Sequence, residues 1–267
     1  NLDKQFSDQA RFRIIISAVE ATIPKPESEK EKPKVSEVPV KKSNKILRIS
    51  RAELLEDIYD YSELNRNFVI LVILSAVVGG IGILKDNLAI IIGAMVIAPF
   101  LGPNVSLAFG TVLGDVELVR KSIKTGFAAL FLALIISFLW GIFYTGDMRE
   151  IARTEINLSD IVLALASGIA GTIAILRGIS ATLVGVMVAV ALLPPLLKTG
   201  LLAGEGYWEY SFYALLIFTA NTICVNIAGI VTFFFAGIRP KYWWEEKKAR
   251  KYTFRAAGIW FTLLILL

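Results

Sequence analysis

The sequence predicts an all-α transmembrane bundle. It comprises two inverted-topology three-helix repeats with Pro/Gly-broken middle helices, plus a seventh helix, behind the remnant of an N-terminal cytoplasmic α/β domain. Three observations carry this expectation. Charge is segregated: between positions 67 and 114 only Lys85 and Asp86 are charged, and between 126 and 146 nothing is. Apolar residues make up 55% of the chain, against roughly 45–50% in soluble domains, and mean hydropathy is +0.64. A 29-residue stretch then recurs at a constant offset of 92 positions.

The chain opens with charged residues and no long apolar run, which is unlike a cleavable signal peptide. RFRIIISAVEATI (11–23) reads as a strand, and so short a segment buries no core by itself. Residues 1–23 are therefore expected to be the tail of a cytoplasmic α/β domain. Residues 24–45 set Pro24, Pro26, Pro33 and Pro39 among Lys and Glu, the composition of an extended, disordered linker. An amphipathic interfacial helix is expected over 46–66. Ser50 and Glu53 form a capping box, Ile49 and Leu54 the hydrophobic staple, and Leu54, Leu55, Ile58, Tyr61 and Leu64 share one face. Such a helix lies on the membrane or docks on the bundle, as a packing element before any regulatory one.

A span needs about 20 apolar residues. Six segments qualify, at about 67–85, 87–113, 123–145, 160–176, 179–203 and 210–237, and a seventh starts near Phe254 in the segment 254–267. Residues 146–159 form an extracytoplasmic loop, and 239–253, with Tyr242, Trp243 and Trp244 among basic residues, a cytoplasmic interfacial anchor rather than a nucleic-acid site. With a cytoplasmic N-terminus, 24 of the 28 Lys and Arg fall inside, and only Lys85, Arg149, Arg153 and Lys198 fall outside. The positive-inside rule thus predicts a multi-pass cell-membrane protein with its N-terminus in the cytoplasm.

SAVVGGIGILKDNLAIIIGAMVIAPFLGP (75–103) aligns without a gap to SGIAGTIAILRGISATLVGVMVAVALLPP (167–195), with 11 of 29 columns identical, among them Gly79/Gly171, Gly93/Gly185, Met95/Met187 and Pro103/Pro195. The repeat units are 67–145 and 160–238. Three spans each is an odd number, so the second unit enters the membrane from the opposite side, an architecture of many secondary transporters. The four conserved glycines are expected to permit close helix packing.

Proline removes a donor and clashes with the preceding turn. Unwound backbone at membrane depth is tolerated where it is buried in protein or lines a wet cavity. A Gly/Pro interruption expected in both units therefore points to a solute pathway, and the substrate-binding candidates follow. Pro99, Gly102, Pro103, Asn104 and Ser106 mark the first break; Pro194, Pro195, Lys198 and Thr199 mark the second; Asn221 and Asn226 lie midway along the sixth span. The asparagines serve interhelical bonding or ligand contact. Lys198 either snorkels to the interface or attracts an anion, in which case Lys198→Ala weakens anion flux.

There is no histidine, and the single cysteine, Cys224, cannot form an internal disulfide. With no Asp or Glu deep in a span, a carboxylate proton relay, a metal site and an acid-pair hydrolase all lack parts, so no enzyme activity, metal or cofactor is expected. The leading function is a secondary transporter or channel for a small polar or anionic solute, driven by Na+ on carbonyls and hydroxyls or by simple facilitation. The alternative is a membrane-anchored sensor or scaffold whose soluble N-terminal domain carries the activity. Expected partners are that solute, Na+ as a candidate coupling ion, the lipid bilayer and, as an open alternative, further copies in a homo-oligomer.

The motifs IIGAMVIAPFLGP, GTVLGD, ALASGIAGTIAI, VAVALLPP and FFFAGIRP resemble those of the prokaryotic membrane proteins grouped as domain of unknown function 389, over about residues 46–240. The resemblance implies a small soluble α/β domain ahead of the membrane part, in keeping with the strand at 11–23. It implies no substrate and no residue roles.

Overall fold

The computed structural model describes residues 51–144, 146, 158–179, 181–238, 258 and 262. The chain divides into two compact units, Asn1–Lys42 and Ser43–Leu267, and every described residue belongs to the second. The strand-like tail, the linker and the loop 239–253 lie outside the described residues, as do the seventh helix apart from Gly258 and Thr262 and most of the loop 146–159.

The described elements are eight helices: α1 (Arg51–Tyr61), α2 (Arg66–Leu84), α3 (Leu88–Ile97), α4 (Leu101–Leu113), α5 (Val116–Phe143), α6 (Leu158–Leu176), α7 (Ala181–Glu205) and α8 (Trp208–Phe235). Five are long and apolar enough to cross a membrane. The pair α3 and α4, bent by 51°, makes a sixth span if taken as one. This is the expected multi-pass helical bundle. Local chemistry sets the boundaries. Asn65, Asn87 and Asp115 accept from backbone N–H groups in the first turns of α2, α3 and α5, satisfying donors that a helix start leaves orphaned. Gly114 closes α4 in the left-handed region at φ 71°, where a Cβ would be strained.

The helices are sorted by size rather than by polarity. Ala129, Ala133, Ser137 and Gly141 recur every fourth residue on the buried face of α5, while Phe127, Phe131, Ile135 and Leu139 stay exposed on its other side. Lipid is as apolar as leucine, so association depends on close approach between small residues. On α7, Gly200 and Gly204 meet that face. A Cβ on Gly204 would collide with the Phe138 carbonyl, one on Gly141 with the Leu201 carbonyl, and one on Gly200 with Ser137 Oγ. On the other side of the bundle α8 packs against α4, α6 and α7. There Phe233 meets Phe109 edge to face at 5.1 Å, and a Cβ on Gly229 would approach that of Ala108 to 2.9 Å.

One sequence expectation is corrected. Only the first middle helix is broken; α7 runs without interruption through Pro194 and Pro195. Pro195 has no N–H to give the Ala191 carbonyl, and the Asn221 amide of α8 donates to that carbonyl instead, at 2.8 Å. A neighbouring helix thus replaces the missing donor. The position 92 residues earlier is Ala129, which has no amide to offer the Pro99 carbonyl freed by Pro103. The break itself sits at Pro99, which disfavours the helical region for the residue before it: Ala98 is extended (φ −67°, ψ 121°), and α4 starts afresh at Leu101.

Candidate functional site

The break at 98–100 is the one place among the described residues where a bent pair of apolar helices is joined by a short irregular segment. Phe100, at the start of α4, makes no side-chain cap, so the first donors of α4 have no cap of their own. Helix α1 lies across this region, with Leu54 and Ile58 fully buried as the predicted apolar face requires. Leu64, assigned to the same face, falls beyond the helix and is exposed.

Polar contacts fasten α1 down. Ser106 Oγ donates to the Ile58 carbonyl and Thr125 Oγ1 to the Ser62 carbonyl, each at 2.8 Å. The Tyr59 hydroxyl donates to Asp115 Oδ2, and a Cβ on Gly102 would come within 2.7 Å of the Tyr61 carbonyl. Burial pushes the Tyr59 phenol up to about 12, aided by its bond to Asp115. Burial also raises the carboxyl of Asp57, with Glu53 and Asp60 adding to it. The outer side of α1 is thus acidic.

Two cavities flank the break. One, of about 450 Å³, is lined by Pro99 and Gly102 of the break, Asp60, Glu63 and Asn65 of the α1–α2 junction, and Gly185 of α7. The other, of about 240 Å³, lies between α4, α5, α7 and α8; Pro103, Asn104, Ser122 and Thr222 line it among apolar neighbours. Behind Asn104 runs a polar chain. Asn104 Nδ2 donates to the Phe100 carbonyl at 2.8 Å, and Asn226 Nδ2 donates to Asn104 Oδ1 at 2.8 Å and to the Thr222 carbonyl at 2.9 Å. Asn226 therefore ties α8 to the first turns of α4.

The predicted site residues separate into groups. Pro99, Gly102, Pro103 and Asn104 meet at the break, and Asn226 joins them through Asn104. Ser106 lies under α1, with its proton committed. Pro194 and Pro195 sit inside intact helix, and Asn221 repairs that helix. Thr199 donates to the Pro195 carbonyl at 2.8 Å and is buried. Lys198 lines neither cavity. It is half-buried within reach of the Asp86 and Asp160 carboxylates, at the end of the bundle marked by the α2–α3 turn and the start of α6.

Asp60, Glu63, Asn65, Gly185 and Thr222 were not foreseen as lining residues. The acidic spacing of α1 was the available signal for the first two. Of the glycines shared by the two repeat stretches, Gly79 and Gly171 are closely packed: a Cβ would come within 2.4 Å of Leu197 and 3.2 Å of Val188 respectively, with Leu193 at 3.8 Å and Leu101 at 3.6 Å. Gly93 is exposed with nothing within 4 Å; Gly185 meets only the Ala98 carbonyl at 4.0 Å and leaves room in the larger cavity.

Residues 95–227 match the family described as Domain of unknown function (DUF389). An uncharacterized protein of Methanocaldococcus jannaschii is 38% identical over 265 residues, covering 98% of this chain and 79% of its own length. The chain belongs to the domain of unknown function 389 family. No solved structure matches it. The family match opens three residues before the break and ends just past Asn226. It thus takes in the whole polar chain from Phe100 to Asn226 and leaves out α1 and α2.

Proposed function

We propose that the protein is a secondary transporter or channel for a small polar solute, with its pathway through the broken helix where the two repeats meet. The observation that carries this reading is the break itself, flanked by cavities of about 450 and 240 Å³ and bridged to α8 by the Asn104–Asn226 pair. Irregular backbone inside a span is tolerated where it faces a cavity or protein, and transporters use such segments to hold solutes and ions. Recurrent contacts support the inverted repeat. The Gly79–Leu193 approach has its counterpart, 92 positions on, in Gly171–Leu101; Ser137–Gly200 answers to Gly229–Ala108, and Gly141–Leu201 to Phe233–Phe109. Each pair joins one repeat to the other, as a pseudo-two-fold exchange requires. The Lys and Arg distribution supports a cytoplasmic α1 end.

A second reading has its own observation. Helix α1 is fastened beside the break and follows the N-terminal unit in sequence, an order a membrane-anchored sensor would need. Thiol accessibility separates the two. In a Cys224→Ser background, Gly185→Cys and Val96→Cys should react with a water-soluble maleimide in vesicles, because both line the larger cavity and thiolate formation needs water. Vesicles in which neither thiol reacts, and which pass no polar solute, would favour the sensor.

A further inference from the structure

The two cavities beside the break differ in kind. Asp60, Glu63 and two asparagines line the larger, whereas no charged residue lines the smaller. The polar residues of the smaller cavity are already engaged. Ser122 and Thr222 give their protons to the Leu118 and Phe218 carbonyls at 2.8 Å, and Asn104 donates to the Phe100 carbonyl while accepting from Asn226. The buried Oδ1 atoms of Asn221 and Asn226, which have no donor, line neither cavity. What faces a ligand in the smaller cavity is therefore an apolar wall of Phe100, Leu107, Leu130, Leu192 and Phe218. One side of it opens out of the bundle, because Ile123 and Phe127 of α5 line it and are 42% and 56% exposed. Gly126 keeps the opening wide: a Cβ there would meet only that of Pro103, at 3.6 Å.

Positive charge stands at the foot of this opening. At 3.6 residues per turn, Arg120 lies within about 20° of Phe127 around α5 and two turns nearer the helix start. Spacings of three and four residues make Arg120 a neighbour of Ile123 and Lys124, and Lys124 a neighbour of Phe127. Both cations are exposed, and neither is ion-paired. The third basic residue of this turn is committed elsewhere: Lys121 pairs with Glu117 at 3.2 Å and lies over the Tyr59 ring. The length also fits. From Arg120 to Leu130, the lining residue of α5 farthest along the helix, is about 15 Å of helix, half of a hydrocarbon core about 30 Å thick.

We propose that the smaller cavity is a binding groove for an anionic phospholipid, with one acyl chain lying between α4, α5 and α8 up to the break and the phosphate held by Arg120 and Lys124. Lipid surrounds the whole bundle, so contact with a hydrocarbon chain selects nothing by itself. The paired cations select the headgroup, and the groove fixes the place. A lipid held here does not depend on transport, whose thiol test reads the larger cavity.

The test is native mass spectrometry of the full chain in detergent, titrated with phosphatidylglycerol, with phosphatidylcholine of the same chains, and with inorganic phosphate. Each basic residue near an anionic headgroup is worth roughly fivefold in binding, so phosphatidylglycerol should bind about 20-fold tighter than phosphatidylcholine. It should do so as a single saturable adduct that phosphate does not displace. Arg120→Gln combined with Lys124→Gln should erase the preference and leave the binding of phosphatidylcholine unchanged. Gly126→Leu, which fills the groove, should weaken both lipids, and Gly126→Ala should weaken neither. The charge pair is exposed, so its variant reads out whatever becomes of the folding of Gly126→Leu. Equal binding of the two lipids, displacement by phosphate, or lipid binding that survives intact in folded Gly126→Leu overturns the lipid groove. A wild-type chain that retains neither lipid overturns it as well, and leaves the groove to the segment 254–267 or to a second copy.

Discussion

Asn221 is required because Pro195 is a proline, and a double-mutant cycle isolates that dependence. Wild-type Ala191 O receives its bond from Asn221 Nδ2 at 2.8 Å; in Pro195→Ala the helix supplies its own N–H. A protein hydrogen bond contributes about 1 kcal/mol net, and pairs between membrane helices average about 0.6 with a ceiling near 1.7. Ala191 and Asn221 are 2% and 4% exposed, so water cannot substitute and the upper part of that range applies, about 1–1.5 kcal/mol. Asn221→Ala should therefore lower the Tm by roughly 2–5 °C in the wild-type background and by much less in Pro195→Ala. The gain from deleting the orphaned Oδ1, and the loss from the smaller side chain, occur in both backgrounds and cancel. Unfolding in mixed micelles, followed by far-UV circular dichroism, measures the four corners. A coupling below about 0.3 kcal/mol, within ordinary additivity, would refute the repair of α7 by Asn221.

Two further outcomes follow from the packing and the ionisation of α1. Gly204→Ala forces a methyl into the Phe138 carbonyl and should cost about 1–3 kcal/mol by overpacking; Gly93→Ala, with nothing within 4 Å, should be neutral or gain up to about 1 kcal/mol from helix propensity, both read by the same unfolding assay. Tyr59, raised from 10.0 to about 12 by burial and Asp115, contributes stability that is intact below pH 10 and lost as pH climbs toward 12. Wild type minus Tyr59→Phe in a phenolate absorbance titration should show one late step near 12, with α1 becoming protease-sensitive over the same window; a step at 10 would mean that α1 is not docked.

Span positions were legible because long uncharged runs leave few alternatives in lipid. The docking face of α1 was legible for a similar reason: Leu54 and Ile58 are one turn apart and both are buried. The fate of the prolines was not. Pro103 and Pro195 occupy equivalent positions, yet one lies just past a break and the other inside intact helix. One difference is local, since Pro99 at the break has Ala191 as its counterpart; the other is an amide 26 positions beyond Pro195 in sequence, delivered by another helix. Local propensity carries no information about such a donor. Lys198 illustrates the same limit, since the carboxylates facing it come from the α2–α3 turn and the first turn of α6. The cavity-lining acids were visible as residues, but only tertiary packing brings them over the break.

The glycine seam between α5 and α7 also bears on how the chain is made. Helix α5 leaves the ribosome well before α7, so its strip of Ala133, Ser137 and Gly141 is made before the glycines that cover it in the fold. That wait is tolerable because the Ser137 hydroxyl already donates to the Ala133 carbonyl within its own helix, exposing no unmet donor. Close packing of this strip needs Gly200 and Gly204, which makes the segment up to α5 an incomplete product on its own. Produced as two polypeptides cut within 146–157, the halves should be short-lived singly and recover each other when made together.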